Sequence, residues 1–291
     1  MKKNIIVIAL IGLLSLSCSK TEAQRGNPGE NHDVTEVYKV VAHRGGYLEC
    51  GRPDCSISSL KYAIQRGCYA SECDIMITSD NEVLVAHPVN GCKVNNLVVY
   101  ESTLAEIQSS GKLANGEIIP TLQDFLSVVM DKEMNPLGMK IWLDVKRLVK
   151  DGKDLDYNLS VKACLRACEI IKSMNAESFC EFLIPTGTDI FNAVKDKVIG
   201  EYGINLAWMT CTSPSNYGKA WAQLSYDKIL GPSPLASYRP EDYINAGIPL
   251  SIYNVDEDSE MDEAIGYYPD LKAIFTNYPN KLISKLKKSG Y

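Results

Sequence analysis

Short apolar or β-branched segments recur along the chain at strand length, and stretches of helical period lie between several of them. That alternation is the pattern of βα units and a parallel sheet. Eight segments read as core strands: Val40 to His43, Ser71 to Ile75, Ile141 to Val145, Phe182 to Ile184, Leu206 to Met209, Ile229 to Gly231, Leu250 to Val255 and Ala273 to Thr276. Helices are expected at Ile57 to Arg66, Leu122 to Met130, Val161 to Met174 and Ser259 to Gly266. Eight βα units imply a closed (β/α)8 TIM barrel, and a barrel of ordinary size uses nearly all of a 291-residue chain as one domain. One segment breaks the alternation. Val83 to Ala86 follows Ile75-Met76-Ile77 after only Thr78-Ser79-Asp80-Asn81-Glu82, too short for a crossover helix between parallel strands. It is expected as a hairpin carrying His87 above the barrel mouth, with about 88–118 an inserted segment between strand 2 and helix 2.

The first residues read as an export signal. Met1-Lys2-Lys3 precedes an apolar run from Ile5 to Leu16 and then Ser17-Cys18, a run too short to span a bilayer comfortably. The pattern is similar to a bacterial lipoprotein signal, with Ser15 where such signals usually carry Leu. Residues 1–17 are then the signal peptide, Cys18 the lipidated residue that ties the protein to a membrane, and 18–36 a flexible polar tether. The barrel domain spans 37–291, and the expected location is the cell envelope, in the periplasm or on the outer membrane or cell surface.

A formal net charge of −6 argues against a nucleic-acid partner, whose phosphates need clustered Lys and Arg. Of ten cysteines, Cys50 and Cys55 flank the turn-forming Gly51-Arg52-Pro53-Asp54 and are candidates for a short disulfide loop.

The chemistry concentrates at strand ends. Val40-Val41-Ala42-His43-Arg44-Gly45-Gly46 ends a strand in a histidine that points into the mouth, an arginine able to hold phosphate bidentately, and glycines that let the backbone approach it. Glu72-Cys73-Asp74 places two carboxylates two residues apart on the next strand, so both project to one side. Leu143-Asp144-Val145-Lys146 adds a third inward carboxylate with Lys146 on the same side. Gathered carboxylates need a cation, and hard oxygen ligands suit one Mg2+ or Ca2+. Tyr253 and Trp208, at or near strand ends, are candidates for the pocket wall. Glu181 and Asp256 are candidates to contact substrate hydroxyls. Leu97-Val98-Val99-Tyr100 in the insertion is expected either to cover a lipid-derived substrate or to pack on the barrel.

These motifs resemble the glycerophosphodiester phosphodiesterase family across nearly the whole mature domain. The correspondence runs through His43-Arg44-Gly45, Pro53-Asp54-Cys55-Ser56-Ile57, Glu72-Cys73-Asp74-Ile75, Thr78-Ser79-Asp80-Asn81, His87-Pro88, Ile119-Pro120-Thr121-Leu122, Leu143-Asp144-Val145-Lys146, Ile252-Tyr253-Asn254-Val255-Asp256 and Ile274-Phe275-Thr276-Asn277-Tyr278-Pro279. The chain departs from the family at Pro53-Asp54-Cys55, where Pro-Glu-Asn is usual, and at His87-Pro88, where His-Asp is usual.

The resemblance implies hydrolysis of glycerophosphodiesters to glycerol 3-phosphate and an alcohol. Glu72, Asp74 and Asp144 hold the divalent cation, His43 and His87 serve as general acid and base, and Arg44, Lys146 and Tyr253 contact phosphate or substrate. The partner is a small-molecule or lipid-derived phosphodiester. Asp144-x-Lys146 also resembles the sphingomyelinase D enzymes, which leaves open a phospholipase of choline lysolipids with a cyclic phosphate product. The missing Asp after His87 leaves open a phosphoester-binding barrel without turnover.

Overall fold

The computed structural model describes residues 35–231 and 237–291. The expected signal peptide and the lipidation candidate Cys18 lie outside them. Eight parallel strands form the barrel: β1 Tyr38–Ala42, β2 Cys68–Ile77, β3 Lys140–Val145, β4 Cys180–Ile184, β5 Asn205–Trp208, β6 Trp221–Ser225, β7 Leu250–Tyr253 and β8 Ala273–Thr276. Each pairs with the next, and β1 pairs with both β8 and β2, so the ring closes.

Seven of the eight expected strands are present. The sixth is displaced: Ile229 closes a short helix, Tyr226–Ile229, and the strand is Trp221–Ser225. The reason lies in which face carries polarity. Gln223 and Ser225 lie on the lumen face with Trp221, while the outer positions are Ala222 and Leu224, so the segment lacks the apolar run that marks its neighbours. Ile229 and Leu230 instead pack in the outer core between strands and helices.

Helices α1 Ile57–Gln65, α2 Leu122–Val129, α3 Asn158–Met174, α4 Asp189–Lys195, α5 Pro240–Asn245, α6 Asp258–Ile265 and α7 Pro279–Lys288 surround the ring. Local chemistry starts several of them. Ser56 accepts from the Ser59 backbone at 3.0 Å at the head of α1, and Thr121 accepts from Asp124 at 3.3 Å at the head of α2, each with a reciprocal bond. No helix among the described residues is long and apolar enough to cross a membrane.

The hairpin is formed as expected. β2 runs on for ten residues and pairs antiparallel with Val83–Val85. The inserted segment folds back on this hairpin: Val99 and Ile107 are buried with Met76, Leu84 and Ile119 in a satellite core. The patch around Leu97 to Tyr100 is therefore packing.

The registers stack lumen side chains in layers of four drawn from alternate strands. From the N-terminal end upward they are Ala70, Glu181, Trp221 and Ala273; then Val41, Trp142, Ala207 and Ser251; then Glu72, Leu183, Gln223 and Phe275; then His43, Asp144, Met209 and Tyr253 at the mouth.

Candidate active site

The turn after β1 is set by backbone conformation. His43–Gly45 forms one tight turn in which Arg44 has φ +46°, Gly45 +81° and Gly46 +73°. A Cβ on Gly45 would come within 2.6 Å of Ser59, so the two glycines allow β1 to break sharply against α1. The turn aims the Arg44 backbone N–H at Glu72 Oε2 (3.0 Å) and its guanidinium Nε at Asp74 Oδ2 (3.0 Å). Lys146 Nζ bridges Asp74 Oδ1 (3.0 Å) and Asp144 Oδ2 (3.1 Å). Oxygens of Glu72, Asp74 and Asp144 lie within 4.8 Å of one another.

Three carboxylates so close in a buried place repel. Burial pushes the Glu72 carboxyl well above its ordinary range, and the charges of Asp74 and Asp144 add to the rise. Asp144 is likewise raised, by burial, against the pull of Lys146. Burial would raise Asp74 too, but Lys146 and then Arg44 overcome it and hold its carboxyl low. All-oxygen donors, with more negative than positive charge gathered around them, fit a hard divalent cation.

His43 Nε2 is 3.9 Å from Glu72 Oε2, and its Nδ1 is 2.8 Å from Asn277 Oδ1. The Asn277 amide is oriented by Asp256: Nδ2 donates to Oδ2 at 2.6 Å and the backbone N–H donates to Oδ1 at 2.8 Å. A carboxylate only accepts, so Asn277 Nδ2 faces Asp256 and its carbonyl faces His43. Nδ1 of His43 therefore carries the proton, and Nε2 presents a lone pair to the site. Burial, with Arg44 beside it, takes the His43 pKa down to about 4, which keeps the ring neutral.

His87 is half-buried just beyond the hairpin strand, where Ala86 N–H donates to Asp74 O at 3.1 Å. Burial lowers its pKa, against the pull of Asp74. Tyr253, half-buried at the end of β7, meets Phe275 edge-on at 6.1 Å between centroids, and Phe275 lies 5.1 Å from the His43 ring. Burial, then Asp144, raises the Tyr253 hydroxyl to about 12.

The barrel thus brings together His43, Arg44, Glu72, Asp74, Asp144 and Lys146, with His87 and Tyr253 at the same mouth. Other candidates fall elsewhere. Trp208 turns outward, stacks on Phe191 at 4.2 Å and donates to Gly187 O, so it is packing. Glu181 sits near the opposite, N-terminal end of β4, wholly buried between Lys140 and Lys272. Asp256 acts on Asn277 and Thr276. Cys50 and Cys55 are both free thiols, and Cys55 Sγ lies 3.5 Å from Asp74 Oδ2. The Asp256–Asn277–His43 chain escaped the sequence reading, although Thr276-Asn277-Tyr278-Pro279 contained its middle member.

Residues 43–186 match the model of the glycerophosphoryl diester phosphodiesterase family, and by that stretch the chain belongs to it. Solved structures agree on the fold. A glycerophosphodiester phosphodiesterase from Parabacteroides distasonis superposes with a TM-score of 0.70 at 22% identity, over 88% of this chain and 99% of that one. A phosphodiesterase from Oleispira antarctica, in complex with the product sn-glycerol-3-phosphate, gives 0.63 at 20% identity, over 86% and 97%. A glycerophosphodiester phosphodiesterase from Agrobacterium tumefaciens gives 0.62 at 17%, over 85% and 100%. No curated protein matches the chain in sequence.

Proposed function

We propose that this enzyme splits glycerophosphodiesters into glycerol 3-phosphate and an alcohol, using one divalent cation, Mg2+ or Ca2+, held by Glu72, Asp74 and Asp144. The observation that carries the reading is the three carboxylate oxygens within 4.8 Å beside a histidine whose free lone pair faces them. The cation supplies charge stabilisation to the phosphoryl oxygens when bound. Arg44 and Lys146, which hold Asp74 between them, bind the remaining phosphate oxygens.

Asn277 fixes His43 in the tautomer that accepts a proton at Nε2, so His43 acts as general base toward the attacking hydroxyl, whether water or the neighbouring hydroxyl of the substrate. His87, on the hairpin tied to Asp74, gives a proton to the leaving alcohol. Tyr253 lines the substrate side of the mouth. In the test, the full chain is incubated with glycerophosphocholine, glycerophosphoethanolamine, glycerophosphoinositol and a lysophospholipid, with Mg2+ or Ca2+ or with EDTA, and products are followed by 31P NMR. Metal-dependent glycerol 3-phosphate is expected. A cyclic phosphate from the lysolipid with no glycerol 3-phosphate from any glycerophosphodiester, or no turnover of any substrate, sinks the reading. Export and lipidation at Cys18 belong to the same proposal, and a protein that fails to incorporate labelled palmitate, or does so equally after Cys18→Ala, removes the anchor.

A further inference from the structure

The lumen carries polar groups that the mechanism does not use. Gln223 is 1% exposed and Ser251 wholly buried, and neither amide atom of Gln223 nor the Ser251 hydroxyl has a hydrogen-bond partner among the described residues. The indole N–H groups of Trp142 and Trp221 are in the same condition, with their rings 4.7 Å apart. Leaving a buried amide unpaired costs about 1–3 kcal/mol per group, so a core built for stability alone has no use for Gln there. An apolar side chain of the same size would fill the position better.

Its place in the ring says what it serves. Gln223 belongs to the layer of Glu72, and β6 is diametrically opposite β2, so the amide faces the carboxylate cluster from across the lumen. One layer higher, the flanking strands contribute Met209 and Tyr253, both half-buried and both packed on the lumen core. An unbranched thioether moves aside at little cost. Met209 and Tyr253 thus form an apolar rim one layer above Phe275 and an amide that offers one acceptor and two donors.

We propose that Gln223 determines substrate choice, taking hydroxyls of the polyol group on the phosphodiester that seats between Met209 and Tyr253. The inference deepens the phosphodiesterase reading and rests on it. A group with adjacent hydroxyls matches a primary amide, whose oxygen accepts from one hydroxyl while its nitrogen donates to the next. An acyl chain or a bare methyl ester would leave the amide unpaired and bind worse.

Calorimetry on the full chain with Mg2+ separates the possibilities, because binding is read without turnover. Wild type is expected to bind sn-glycerol 3-phosphate at least tenfold more tightly than methyl phosphate, about the worth of one hydrogen bond to a buried polar group. Gln223→Leu is expected to bring the two affinities within about twofold of each other, while its melting temperature stays level or rises. Gln223→Glu, which keeps the acceptor and loses the donors, is expected to fall between. The proposal is overturned if wild type does not distinguish the two ligands, or if Gln223→Leu leaves the ratio of the two affinities intact, whatever its melting temperature. Absence of turnover with the preference preserved would strike the catalytic reading alone, whereas binding of neither ligand would overturn both.

Discussion

At the N-terminal end of the barrel a single buried carboxylate, Glu181, lies between two ammonium groups, Lys140 at 3.0 Å and Lys272 at 2.9 Å, with the Tyr69 hydroxyl donating at 3.3 Å. Lys272 is also 4.9 Å from the centroid of Trp221 and 5.5 Å from that of Tyr69. At the C-terminal end three carboxylates share one guanidinium and one ammonium. The lower cluster has more positive than negative charge and meets its needs from within the chain. The upper one has more carboxylates than cationic partners, a balance that the proposed divalent cation would restore. The contrast separates a buried ionic group that closes a fold from one that serves a reaction, though their residue types overlap.

The largest expected effect is at the upper end. His43→Ala should lower kcat by about 10²–10⁴-fold while the melting temperature moves little, and a variant with full activity would remove the role given to that ring. The lower end should behave in reverse. Glu181→Gln leaves two partly buried lysines without their counter-charge and should destabilise by about 3–5 kcal/mol in urea unfolding, with turnover per folded molecule unchanged. A loss of kcat in proportion would mean that the two clusters are coupled.

Next in size is the response to the ion. Mg2+ or Ca2+ at about one hundred times its Kd should stabilise wild type by about 2.7 kcal/mol. The gain should vanish in Asp144→Asn and persist in Glu181→Gln. The smallest effect concerns pH. His43 has its pKa lowered by burial to about 4, so below its ordinary 6.5 the unfolded chain binds a proton that the folded chain refuses. This contribution is complete above pH 6.5 and is lost as pH falls toward 4, with a limiting slope of about 1.4 kcal/mol per pH unit. In pH-dependent urea titrations His43→Asn should melt with a correspondingly shallower slope, and an unchanged slope would refute the assignment.

Most of the barrel and the charged part of the site were legible in the sequence because they rest on local patterns. Glu72-x-Asp74 and Asp144-x-Lys146 follow from strand alternation, and His43 from its position at a strand end. β6 was not legible because its lumen face carries Gln223 and Ser225, residues that read as loop until the ring supplies neighbours. Glu181 was assigned to the mouth although it precedes the expected strand Phe182 to Ile184, and in a parallel barrel chain direction alone puts it at the N-terminal end. Asn277 and Asp256 became meaningful only through contacts with each other and with His43, and no spacing along the chain predicts an amide turned by one residue to hold another 234 positions away.

That last contact bears on how the molecule is made. Every proposed metal ligand is in the first half of the chain, but the group that orients the proposed base arrives with the last strand. On the proposed function, a chain still emerging, or one cut before β8, would hold all three carboxylates in its sequence without the residue that orients the histidine. Catalytic competence would thereby be tied to the closing of the ring, and a simple activity assay would report whether the final seam has been sewn.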